Sequence, residues 1–218
     1  MDHAVDQTGP AIAFFGSWEG HSGKLIYRAM EETALLIAQA GYTILTDGGD
    51  GVGGEAPRKG AMQVDVQSLC EFTYGRGYRV SQQDHPEALR IDCNNYAAEI
   101  PFDAGYGIAL SGLLEVASGF VFGCPFEDAE VLARLSMVVH RNLTRWIPNG
   151  QIKKVALIAP AAEHHQDQHM LVRMFTELTG ARAVDDILLP CTTPAEAVQL
   201  LVRATRPLDL QIGRYWRL

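Results

Sequence analysis

The run Gly48-Gly49-Asp50-Gly51-Val52-Gly53-Gly54-Glu55-Ala56-Pro57-Arg58-Lys59-Gly60-Ala61 follows the apolar, β-branched stretch Tyr42-Thr43-Ile44-Leu45-Thr46. That stretch reads as a strand, and the residues from Glu55 read as the helix after it. Glycines packed at a strand-to-helix junction let backbone N–H groups approach an anion. In an open α/β sheet such a loop sits at the carboxyl end of its strand, where ligands bind. The stretch therefore predicts the fold class and a phosphate-bearing ligand together. A flexible surface turn is the competing reading, but it does not need the five glycines between Gly48 and Gly54.

Upstream, Ala11-Ile12-Ala13-Phe14-Phe15 is a short apolar run closed by Gly16-Ser17. Leu25, Ile26, Met30, Ala34, Leu35, Ile37 and Ala38 then recur at helical spacing up to Gly41. Strand, helix and second strand make a right-handed βαβ unit with parallel strands. Downstream, Leu69 to Tyr74 fits a strand, whereas residues 75–103 read as a polar excursion of the lid or interface type. Regularity returns with a helix over Tyr106 to Val116 and a buried strand over Gly119-Phe120-Val121-Phe122-Gly123. A helix from Pro125 carries the apolar stripe Val131, Leu132, Leu135, Val138 and Val139. Strands at Val155 to Ala159 and Ile187 to Leu189 alternate with helices at Met170 to Leu178 and Pro194 to Arg203. The alternation predicts one domain over residues 1–218, a doubly wound, mostly parallel sheet with helices on both faces.

Composition narrows the function classes. No apolar run approaches the ~20 residues of a membrane span, so no membrane partner is expected. Met1 to Asp6 is polar and acidic rather than signal-like, which predicts a cytoplasmic protein. Cys70, Cys93, Cys124 and Cys191 lie far apart without zinc-like spacing and read as free thiols. A net charge of −8 opposes binding to nucleic acid.

Gly16-Ser17 after the first strand, Tyr27 early in the first helix, and Gly48-Gly49 running on to Glu55-Ala56 and Lys59-Gly60-Ala61 form a combination that resembles the Lonely Guy family. The resemblance implies a Rossmann-like fold, a homodimer, and hydrolysis of nucleoside 5′-monophosphates to free base and ribose 5-phosphate without a cofactor. The family's Pro-Gly-Gly-x-Gly-Thr loop and its catalytic Glu should follow the Phe120 strand. Here that place holds Gly123-Cys124-Pro125-Phe126-Glu127-Asp128-Ala129-Glu130, without the glycines and the threonine. The family's Arg just upstream has no counterpart, since residues 108–121 contain no basic side chain.

Breaking an N-glycosidic bond needs a carboxylate to stabilise an oxocarbenium-like sugar or activate water. Glu130 is the nearest candidate, one residue before the aligned position, which is Val131; Glu55 is the second. The expected ligand site comprises Gly16, Ser17, Gly48, Gly49, Gly51, Gly53 and Gly54, with Arg58 and Lys59 for a phosphate and Trp18 stacked on a base. For each, a plain structural role competes: solvated charge for Arg58 and Lys59, packing for Trp18, an exposed helical acid for Glu130. Ser22 reads as a helix cap. His164, His165 and His169 with Glu163 and Asp167 look like a metal box, but a polar helix start explains them and no metal is expected. Arg214-Tyr215-Trp216-Arg217 reads as a docking tail. The partner expected is a small nucleotide or nucleotide-like molecule. Two functions follow: a nucleotide-binding N-glycosidic hydrolase, or a catalytically silent nucleotide or cofactor sensor or carrier of the same fold. A dinucleotide-dependent oxidoreductase is disfavoured, since Gly16-Ser17-Trp18-Glu19-Gly20 does not fit GxGxxG.

Overall fold

The computed structural model describes residues 10–17, 24–47, 49–65, 69–73, 89–92, 110–123 and 128–204. Seven strands form one all-parallel sheet. Strands β1 (Ala11–Phe15), β2 (Thr43–Thr46), β3 (Leu69–Thr73) and β4 (Leu89–Asp92) run outward to one edge. Strands β5 (Gly119–Gly123), β6 (Val155–Ile158) and β7 (Leu188–Cys191) run to the other, giving the order β4-β3-β2-β1-β5-β6-β7. Ile12 of β1 stands opposite Ile44 on one side and Gly119 on the other. The order reverses between β1 and β5, so the chain leaves these neighbours toward opposite faces; this is the topological switch point, at whose carboxyl end open α/β sheets bind their ligands.

The strands form where the sequence is apolar on both sides of the pleat. β1, β5 and β6 are buried at every position, as a parallel sheet covered on both faces requires. Helices α1 (Leu25–Gln39), α2 (Glu55–Met62) and α7 (Pro194–Ala204) share one face, with α1 packed against both others. On the other face lie α3 (110–116), α4 (Ala129–Arg141) and α5 (His165–Thr179), as right-handed crossovers demand. The core is aromatic at its centre. The Phe15 ring lies 5.0 Å from Phe122 and 6.4 Å from Phe120, and Phe120 stacks at 6.0 Å on Trp146.

Helices α1 and α2 touch backbone to backbone. A Cβ on Gly60 would lie 2.0 Å from the Glu31 carbonyl oxygen. Gly60→Ala gains about 1 kcal/mol of helix propensity but forces two helices apart, and overpacking of this kind costs about 1–3 kcal/mol. The expected result is net destabilisation of about 1 kcal/mol in urea unfolding; an unchanged or higher midpoint would show that the helices slide freely.

Several sequence expectations change. Residues 89–92, inside the segment read as a polar excursion, form β4, paired parallel with β3 from Cys70 opposite Leu89 to Thr73 opposite Asp92. A four-residue edge strand carries too little periodicity to stand out from its polar flanks. The remainder of that segment lies outside the described residues. Helix α4 starts at Ala129, because Asp128 caps it; residues 124–127 are outside the described part. Strand β7 starts at Leu188, because residues Val184–Ile187 make a helical turn, α6. In α3, Leu110, Leu113 and Leu114 are all buried in the core. No helix among the described residues is long and apolar enough to cross a membrane.

At the amino edge, Lys153 closes α3. Its Nζ donates to the carbonyls of Leu114 (2.8 Å) and Glu115 (3.0 Å) and lies 4.2 Å from the Trp146 ring centroid. Burial pushes its pKa down to about 8. A lysine whose folded pKa falls below its unfolded value binds fewer protons when folded, so its contribution to stability rises with pH between about 8 and 10.5. The Cys191 thiol, pushed up to about 12 by burial, acts oppositely above its ordinary value of 9. Stability relative to Lys153→Met is therefore expected to rise from pH 8 to pH 9. A flat difference would show that the two carbonyl bonds hold the charged form.

Candidate functional site at the sheet's carboxyl edge

Three chain segments meet where β1, β2 and β5 end. After β1, Gly16 and Ser17 turn away from the sheet, and the Ser17 carbonyl accepts the Val52 N–H at 3.0 Å. This bond lays the glycine loop over the end of β1. The approach is so close that a Cβ on Gly53 would lie 2.4 Å from the Gly16 nitrogen, and one on Gly54 2.0 Å from the Gly49 oxygen. Among the described residues of this loop, Gly51 alone takes a left-handed φ, at 75°. Most of these glycines thus serve backbone contact, not backbone handedness.

The loop is tied down from inside. Arg58, in the first turns of α2 yet buried, donates from Nη2 to the Gly49 carbonyl at 2.8 Å. Ala56 N–H reaches the Gly51 carbonyl, and Arg58 N–H that of Gly54. Past these bonds, the backbone N–H groups of Gly53, Gly54 and Glu55 stand at the N-terminus of α2. These amides open an eight-residue helix and suit an anion.

Asp47, one residue beyond β2, joins this loop to α4. Its Oδ1 accepts the Gly49 N–H at 3.1 Å, and its Oδ2 pairs with Arg134 Nη1 at 3.1 Å. Arg134 is 2% exposed; its Nη2 donates to Glu130 Oε1 at 2.5 Å, and its guanidinium lies 5.4 Å from the Phe15 ring centroid. Helix α4 itself begins on its own cap, with Asp128 Oδ1 accepting the N–H groups of Glu130 (2.8 Å) and Val131 (3.3 Å). One buried cation thus holds two carboxylates from opposite sides of the switch point.

A second cluster lies between the first turns of α1 and α2. Lys59 Nζ pairs with Glu55 Oε1 at 2.7 Å and lies 5.3 Å from the ring centroid of the fully buried Tyr27. The Tyr27 hydroxyl is sealed from solvent without a well-aligned hydrogen bond, although Glu55 and Lys59 are near enough to influence its titration. Burial holds the Tyr27 pKa above its usual value. For Glu55 burial acts upward too, but the bond and charge of Lys59 and the Tyr27 hydroxyl outweigh it and leave the carboxyl below its ordinary range. The Glu55 bond raises Lys59 in turn.

Of the residues expected from sequence, Gly16, Ser17, Gly49, Gly51, Gly53, Gly54 and Arg58 converge in one loop assembly, and Glu130 joins it through Arg134 and Asp47. Glu55 and Lys59 belong to the Tyr27 cluster. Gly48 and Trp18 lie outside the described residues, as do Ser22 and the tail from Arg214 to Arg217. His164 Nδ1 pairs with Asp167 at 3.2 Å; among the described residues no group of three or more His, Cys, Asp or Glu side chains is placed to hold a metal. Asp47 and Arg134 went unnoticed in the sequence. For Arg134 a signal is present, since it falls on the buried stripe of Val131, Leu135 and Val138, where a guanidinium needs a buried partner; nothing in the sequence says that Asp47 is that partner.

Sheet order, parallel pairing and the reversal of strand order decide the architecture. The chain is a Rossmann-like α/β protein. Solved structures share this fold at low identity. The molybdenum cofactor carrier protein of Chlamydomonas reinhardtii superposes with a TM-score of 0.56 at 14% identity, over 89% of this chain and 97% of that one. The molybdenum cofactor binding protein of the phototrophic bacterium Rippkaea orientalis gives 0.55 at 14% identity, over 89% and 96%. DNA processing protein A of Helicobacter pylori, described in a single-stranded DNA binding mode, gives 0.63 at 9% identity, over 94% and 86%. No protein-family model matches the chain, and no curated protein matches it.

Proposed function

We propose that this chain binds a phosphate-bearing, nucleotide-like cofactor at the carboxyl edge and carries or senses it without turning it over. The observation that carries this reading is the ion pairing of both candidate catalytic carboxylates. Glu130 is held by the buried Arg134 and Glu55 by Lys59. An oxocarbenium-like sugar is stabilised by a carboxylate whose charge faces it, and a guanidinium bonded to that carboxylate removes most of the effect. The loop amides still offer an anion its contacts, so affinity outlasts turnover. Two structures of the same fold that are named as a molybdenum cofactor carrier and binding protein support a cofactor as cargo. The Lonely Guy resemblance supports a nucleotide-like phosphate end on the ligand.

The test is a thermal-shift screen of nucleoside monophosphates and of molybdenum cofactor, followed by assay of every binder for released base. The expected result is a saturable shift with no base release. Base release lost at least ~10²-fold in Glu130→Gln, with affinity unchanged, would replace the carrier reading with the hydrolase. No shift with either ligand class would remove both.

A further inference from the structure

We infer that Lys153 is a carboxylation site: its amine takes up carbon dioxide as a carbamate, which Arg141 and Arg145 hold. Three cations converge there on one residue. The guanidiniums of Arg141 and Arg145 both donate from Nη1 to Glu115 Oε1, at 2.5 and 2.7 Å, and Lys153 Nζ donates to the Glu115 carbonyl at 3.0 Å. Arg141, at the end of α4, also reaches Ser111 Oγ at 2.8 Å, and Arg145 follows in the π-helical turn Asn142–Trp146. The backbone of Lys153 is fixed as well. The buried Asn142 amide donates to its carbonyl at 3.1 Å and accepts its N–H at 2.9 Å. Lys154, next along, turns away to the Asp186 carbonyl. One carboxylate among three cations leaves this corner positive in a chain whose net charge is −8.

Carbon dioxide reacts only with a neutral amine, and the surroundings of Nζ suit that form. Its two acceptors, the carbonyls of Leu114 and Glu115, match the two N–H groups of a neutral amine and leave its lone pair unused. The Trp146 face favours the ammonium, but burial outweighs it. Burial is the largest cause of the lowered pKa of about 8; among the described residues the Glu115 charge opposes it, and those of Arg141 and Arg145 act with it. At about pH 7.5 roughly a quarter of such an amine is neutral, against about one part in a thousand for an ordinary lysine. In the reaction the lone pair forms an N–C bond, one C=O π pair moves to oxygen, and one N–H proton leaves to solvent. The nitrogen keeps one N–H for one of the two carbonyls. A cation has then become an anion, so two guanidiniums face two carboxylate groups and the excess positive charge is gone. Carbon dioxide is small and uncharged, so a partly buried amine is within its reach.

The test equilibrates the full chain with isotope-labelled bicarbonate at about pH 8, traps carbamates by alkylation with triethyloxonium, and maps them by peptide mass spectrometry. The expected result is a trapped carbamate on Lys153 at least ~10-fold above that on the chain's other lysines, Lys24, Lys59 and Lys154. Carbon NMR of the same sample is expected to show a carbamate resonance that Lys153→Met abolishes, separate from any signal of the amino-terminal amine, which both proteins share. Arg145→Gln, at a guanidinium 59% exposed, is expected to lower the Lys153 carbamate at least ~2-fold with unchanged circular dichroism. A wild type with no carbamate on Lys153, or with as much on Lys24, overturns the inference, as does an Arg145→Gln protein that traps as fully as wild type. Trapping in wild type requires no variant to fold, so it decides the matter even if Lys153→Met unfolds.

Discussion

Arg134→Met lowers the unfolding free energy by about 3–5 kcal/mol, the cost of stranding a buried charge. The Asp47 carboxylate is buried with one oxygen on Gly49 N–H and the other on Arg134, so losing the guanidinium leaves an anion that water cannot reach. Methionine fills much of the same volume, which keeps a cavity effect small against the electrostatic one. Glu130, on the outer side, turns to solvent and contributes little. The double variant Asp47→Asn with Arg134→Met should recover most of the loss, because no charge is then buried unpaired. Urea unfolding of the three proteins measures this; a loss below about 1 kcal/mol in the single variant would mean that the pair is hydrated in solution.

Gly53→Ala is expected to be nearly as damaging, at about 3 kcal/mol, for one methyl group. Its Cβ would meet the Gly16 nitrogen at 2.4 Å and the Phe15 carbonyl carbon at 3.1 Å. Those atoms are backbone on β1 and its first turn, and β1 is paired on both sides, so neither partner can yield. The α1–α2 contact at Gly60 differs, since whole helices can shift there. Gly180→Ala makes the control: its added Cβ meets nothing within 4 Å, and its φ of 64° limits the loss to about 1 kcal/mol. Equal losses at Gly53 and Gly180 would show that the glycine loop has no fixed seat on β1. The same variant should abolish the ligand-induced thermal shift, because the α2 amides can no longer hold their position.

The alternation of apolar runs and helical stripes was enough to read the sheet, because a parallel sheet covered on both faces needs unbroken apolar strands such as Ala11 to Phe15 and Val155 to Ile158. Edge strands needed less apolar sequence and were correspondingly harder to place, as β4 and the start of β7 illustrate. The glycine loop was legible as a site of close approach, but sequence could not say what approached what: Gly53 and Gly54 meet backbone of their own chain. Nor could it reveal Asp47 with Arg134, whose partnership depends on β2 and α4 meeting across the reversal of strand order. Charge pairs between distant segments leave no spacing to read. The i, i+4 relation of Glu130 to Arg134 was open to reading, since it is local.

The pairing register of β1 has a consequence for the order in which the chain can assemble. Ile12 finds Ile44 after a single helix, whereas Ala13 finds Phe120 only after β2, α2, β3, β4 and α3 have been passed. Closure entropy grows with the chain enclosed, so the β1–β5 seam is the slower one to zip and the βαβ units on either side have local reasons to form before it. The Asp47–Arg134 pair lies across that seam and can form only when both halves are in place. Its buried charges therefore act late, as a latch that distinguishes the finished sheet from two half-sheets in loose contact, and the edge proposed to take the ligand is assembled only once that latch has closed.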